Sequence, residues 1–76
     1  MEYEKLQKII SVVLGIEPEQ VTMDDDFIDD LGADSLDVYQ IIISIEDEFD
    51  IQINEEDAMK VKKVSDAVEM IKNAIN

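Results

Sequence analysis

Cysteine and histidine are both absent from the 76 residues, and the basic residues number only six, all of them lysine. Without cysteine there is no disulfide framework, no thiolate zinc site and no thiol nucleophile. Without histidine the chain lacks the usual general base, the commonest metal ligand and the usual switch near neutral pH. No apolar run approaches the length that spans a bilayer, and no signal peptide is visible. Against 20 acidic residues the lysines leave a net charge of −14. This charge argues strongly against nucleic acid and anionic membrane as partners, since both want a basic surface. The expected partners carry basic patches. An apolar content of 46% suffices for a modest core and is too high for a disordered tail. The expectation is one domain over residues 1–76, monomeric and cytoplasmic.

The charge is concentrated. Between Glu17 and Asp57 there are 16 acids and no lysine, whereas the remainder holds 4 acids and 6 lysines, a balance of +2. The middle of the molecule is acidic and its ends are near neutral.

Periodicity predicts an all-α fold, a small bundle of three main helices and one short one. The first helix is expected over Glu2–Leu14, with Tyr3, Leu6, Ile9, Ile10 and Val13 on one face and Gly15 as its stop. The second is expected over Ser35–Phe49, with Asp34 as N-cap. A short third one follows over Glu55–Met59, capped by Asn54. A fourth is expected over Asp66–Ala74, capped by Ser65, with Val68, Ile71 and Ile75 in register. The segment Asp50–Asn54 alternates, but its neighbours are helical, so it is read as a loop whose Ile51 and Ile53 cover the core. The long connection from Gly15 to Asp34 is read as a packed loop, pinned by Val21, Phe27, Ile28 and Leu31.

The second helix carries two apolar stripes. Val38, Ile41, Ile42, Ile45 and Phe49 fall within an arc of about 100° and form the core face. Leu36, Tyr39 and Ile43 lie about 60° or more beyond its edge, flanked by Gln40, Glu46 and Asp47. An apolar strip rimmed by carboxylates is either a docking surface or the contact with another helix of the same domain, and geometry leaves the two near even.

Ser35 stands at the first position of this helix, where the dipole and unpaired N–H groups favour an anionic ester. The plain alternative is that it merely belongs to the cap. As a nucleophile it lacks a base, because no histidine exists and the lysines are remote in sequence, so no catalytic residue is assigned. An EF-hand reading fails as well. With Gly32 at the sixth position, Phe27 falls first where an oxygen ligand is required, and no metal ligand is assigned.

The segment Asp30-Leu31-Gly32-Ala33-Asp34-Ser35-Leu36-Asp37, followed by Ile45-Glu46-Asp47-Glu48-Phe49, resembles the bacterial type II acyl carrier proteins of fatty-acid synthesis. The likeness extends over nearly the whole chain, through length, acidity and the ending Val64-Ser65-Asp66-Ala67-Val68. The resemblance implies that Ser35 receives 4′-phosphopantetheine from coenzyme A through a separate Mg-dependent phosphopantetheinyl transferase. Acyl groups would then be held as thioesters, and the chain itself would catalyse nothing. It further implies that Asp34, Leu36, Asp37, Tyr39, Gln40, Ile43, Glu46 and Asp47 dock on basic patches of fatty-acid synthesis enzymes. The acyl chain would be sheltered by Phe27, Ile28, Val38, Ile41, Ile45, Ile53, Ala58, Val61 and Ala67.

Some positions depart from the family pattern. Gln40 stands where Glu is common, Tyr39 where a small aliphatic residue is usual, Asn54 where Pro is frequent, and Lys62 and Lys63 where small polar residues are common. They bear on the partner set rather than on the carrier role. Two other readings remain at this stage: a carrier for another cargo, such as a polyketide or an amino acid, and an acidic protein-binding adaptor with no prosthetic group.

Overall fold

In the computed structural model, which describes residues 2–75, helix α1 spans Glu2–Leu14 and a 3-10 turn follows at Pro18–Gln20. Helix α2 spans Ser35–Phe49, α3 Glu55–Met59 and α4 Val64–Ile75. The first three helices have the bounds that periodicity predicts. Helix α4 begins two residues earlier than expected, and Ser65 lies inside its first turn instead of capping it. The first N–H groups of the helix, those of Val64 and Ser65, donate to the carbonyls of Asp25 and Met23 at 2.9 and 3.1 Å, and Asp66 Oδ2 accepts the N–H groups of Lys62 and Lys63 just ahead of it at 3.1 and 2.9 Å. A carboxylate on the first turn can satisfy these backbone donors without a serine or threonine at the cap.

Leu6 and Ile10 of α1, Ile41 and Ile45 of α2, and Val64, Ala67, Val68 and Ile71 of α4 meet in one core. Val21, Phe27 and Ala33 from the long connection complete it. Each large side chain fully buried here contributes roughly 1.5–3 kcal/mol before entropy is set against it. Ile75, expected in the register of α4, is exposed. It stands at the end of the helix, past the reach of the packed faces.

Gly15 ends α1 in the left-handed region (φ 69°), a conformation that suits a residue without Cβ. The connection that follows is secured at both halves. The Tyr3 hydroxyl and Gln7 Nε2 both donate to the Val21 carbonyl at 3.0 Å. Gln7 Nε2 also reaches the Pro18 carbonyl at 3.3 Å. In the second half a single antiparallel bridge joins Asp26 to Lys63. Phe27 N–H donates to the Lys62 carbonyl at 3.0 Å, and Val64 N–H to the Asp25 carbonyl at 2.9 Å. Of the four expected anchors, Val21 and Phe27 are buried and Leu31 is half-buried. Ile28 is exposed, because its neighbour Phe27 takes the inward position and the chain turns there.

Helix α3 contains no buried residue. Asn54 caps it as expected, Oδ1 accepting the Asp57 N–H at 2.8 Å. Ile51 and Ile53 are partly buried against the core without forming a strand.

Candidate functional site

The start of α2 is built by two acids. Asp34 is the N-cap in extended backbone, and its Oδ1 accepts the Asp37 N–H at 2.9 Å. Asp37 Oδ2 accepts the Asp34 N–H in return at 3.3 Å. This reciprocal pair satisfies free donors at the helix end. It also leaves Ser35 exposed at the first helical position, outside the core.

Ser35 stands on the rim of a groove of about 530 Å³. One wall comes from the connection, through Phe27 and Ile28, and from α2, through Val38, Tyr39 and Ile42. Ala58 and Met59 of α3, with Val61 just beyond it, form the other wall. Of the expected acyl-pocket residues, Phe27, Ile28, Val38, Ala58 and Val61 line this groove. Ile41, Ile45 and Ala67 do not; they lie in the core, each 1% exposed or less. Ile53 does not either, since it faces a second groove of about 410 Å³ between α3 and α4. Tyr39, Ile42 and Met59 were missed as groove residues. Met59 is exposed and lies on a helix of one turn, where periodicity carries little information.

The rim of the groove is polar. Asp26 is buried, and its Oδ1 accepts the N–H groups of Ile28 and Asp29 at 3.0 and 3.1 Å. Lys62 Nζ lies 4.0 Å from Asp26 Oδ2. The Asp29 N–H bond holds the Asp26 carboxyl below its ordinary value, aided by the Ile28 bond and the charges of Lys62 and Lys63; burial works the other way. Among the described residues, no three His, Cys, Asp or Glu side chains gather into a metal-holding group.

No other helix among the described residues covers the second stripe of α2. Leu36 is 77% exposed, Tyr39 62% and Ile43 39%. Asp34, Gln40 and Asp47 beside it are exposed, while Asp37 and Glu46 are half-buried. Asp37 is engaged in the cap, and Glu46 Oε2 accepts the Ile53 N–H at 2.9 Å. No helix among the described residues is long and apolar enough to cross a membrane.

An exposed serine on a helix terminus beside an apolar groove fits the attachment of a long prosthetic arm, and the comparisons with known proteins agree. Residues 4–71 match the family described as phosphopantetheine attachment site. An acyl carrier protein of Clostridium acetobutylicum is 49% identical over 72 residues, covering 95% of this chain and 94% of that one. An acyl carrier protein of Nitratidesulfovibrio vulgaris is also 49% identical, over 70 residues and 92% of each chain. Among solved structures, that of a candidate acyl carrier protein from Mycobacterium tuberculosis superposes with a TM-score of 0.91 at 34% identity, covering 96% of this chain and 97% of that one. The acyl carrier protein of Thermotoga maritima gives 0.84 at 32% identity, with 99% and 92% covered. These matches favour a carrier over an adaptor without a prosthetic group. The chain belongs to the acyl carrier proteins, non-catalytic carriers with a phosphopantetheine attachment domain.

Proposed function

We propose that this chain is a single carrier unit for acyl intermediates of fatty-acid synthesis in the cytoplasm, with Ser35 as the attachment residue. The observation that carries this reading is the position of Ser35, exposed at the start of α2 and on the rim of an apolar groove. When bound, 4′-phosphopantetheine supplies a terminal thiol that holds acyl groups as thioesters. The chain's own residues do three things. The Asp34–Asp37 pair fixes the turn that presents the Ser35 hydroxyl. Val38, Ile42, Ala58 and Val61 offer apolar surface that withdraws an acyl chain from water. Leu36, Tyr39 and Ile43, with Asp34, Asp37, Gln40, Glu46 and Asp47 around them, form the face for basic patches of the transferase and synthase enzymes. Exposed charges of this kind steer association and are weakened by salt.

The test is intact mass after incubation with coenzyme A, Mg²⁺ and a broad-specificity phosphopantetheinyl transferase. Wild type is expected to gain one phosphopantetheinyl group and Ser35→Ala none, with both chains folded. Loading that survives Ser35→Ala would remove Ser35 from the reading. Fatty-acid cargo is tested by charging the modified chain with malonyl and acyl groups from fatty-acid transacylases. Charging only by polyketide or amino-acid loading enzymes would assign another cargo.

A further inference from the structure

Glu46 belongs to the docking helix, yet its side chain is half-buried and already committed. One carboxylate oxygen accepts the Ile53 N–H at 2.9 Å. The Glu46 carbonyl accepts the N–H groups of Asp50 and Ile51, the latter at 3.1 Å. A single residue thus secures the turn out of α2 and the chain that runs from it to α3.

That chain matters because of what α3 lacks. It spans five residues and none is buried, so its own packing does little to hold it. Its place is set at its two ends. Beyond its C-terminus the Lys62 carbonyl accepts the Phe27 N–H, tying the chain to the long connection. Ahead of its N-terminus stands the Glu46–Ile53 bond. Between these ties Ala58, Met59 and Val61 form one wall of the Ser35 groove.

We propose that Glu46 is a positioning residue for that groove. Its carboxylate pins Ile53 and so sets where the α3 wall stands, and it acts there as a hydrogen-bond acceptor, independently of its charge. Glutamine at this site can accept the same N–H, whereas alanine cannot. Only the consequence for cargo rests on the carrier reading; the wall itself is testable in the unmodified chain.

The experiment is residue-resolved amide exchange by NMR on full-length wild type, Glu46→Ala and Glu46→Gln. In Glu46→Ala, Ile53 and the α3 amide of Ala58 are expected to lose protection roughly fivefold, while the core amides of Ile10 and Ile71 keep theirs. Glu46→Gln is expected to match wild type at every site. Unchanged protection at Ile53 in Glu46→Ala overturns the proposal. Equal loss in both variants also overturns it, because charge would then be what counts. If Glu46→Ala does not fold, Glu46→Gln decides: wild-type exchange at Ile53 upholds the acceptor role and lost protection ends it. On chains loaded with an octanoyl thioester, hydrolysis is expected to speed up in Glu46→Ala and not in Glu46→Gln. Failure of all three chains to load would count against Ser35 as the attachment residue and leave the exchange result standing.

Discussion

Asp34 and Asp37 each accept the other's backbone N–H, Asp34 Oδ1 at 2.9 Å and Asp37 Oδ2 at 3.3 Å, so the turn carrying Ser35 is closed from both sides. Asp34→Ala removes the side-chain cap and is expected to cost about 1 kcal/mol. For a domain of this size that is a fall in Tm of about 4–8 °C. Urea and thermal unfolding followed by circular dichroism check it.

Leu36 and Ile41 are both aliphatic residues of α2 with opposite fates, one 77% exposed and the other 1%. Ile41→Ala is expected to cost about 2–5 kcal/mol, enough to unfold much of a small domain. Leu36→Ala should change stability by no more than about 0.5 kcal/mol. On the proposed docking role of Leu36, its effect should appear as a raised KM of the transferase with kcat nearly unchanged.

Asp26 has its carboxyl held below the ordinary value of 3.8 in the folded chain. Its contribution is therefore full above that ordinary value and is lost as pH falls through the lower folded value. The stability gap between wild type and Asp26→Asn is expected to be greatest at neutral pH and to close in acid. Denaturation midpoints of both chains across the acid range test this, and a gap that widened as pH fell would contradict it.

Asp50 ends α2 with φ 55° and ψ 50°, in the left-handed region. Aspartate tolerates that region better than most residues, but glycine adopts it without a Cβ penalty. Asp50→Gly is expected to raise stability by about 0.5–1 kcal/mol. Chemical denaturation measures it directly.

Most of the helical architecture was legible in the chain because it depends on local rules. Gly15 stops a helix through its backbone conformation, and Asp34 and Asn54 cap theirs through side-chain oxygens that accept an N–H three residues on. The spacing of Ile41, Ile42 and Ile45 marks the buried face of α2. The start of α4 was misplaced because its first N–H groups, those of Val64 and Ser65, are taken by the carbonyls of Asp25 and Met23 far back in the chain, while Asp66 reaches back only to Lys62 and Lys63 ahead of the helix. Exposure of Leu36, Tyr39 and Ile43 was undecided, since only tertiary packing determines whether another helix covers that stripe. The groove was only half legible for a related reason. Its lining depends on where α3 stands, so Met59 and Ile42 enter it while Ile41, Ile45 and Ala67 remain in the core. The engagement of Glu46 with Ile53, seven residues on, is likewise a property of the turn between them.

The bridge between Asp26 and Lys63 joins points 37 residues apart in the chain. Closing so long a loop costs entropy that nearby pairings do not, so the bridge has little to gain until α4 is seated on α1 and α2. The strand-like seam at the mouth of the groove is thus assembled late, and residues there should show φ-values near zero. The same order runs in reverse when the chain opens. The one-turn helix α3, none of whose residues is buried, is expected to come away while the three-helix core persists, giving access to the groove at a fraction of the free energy of global unfolding.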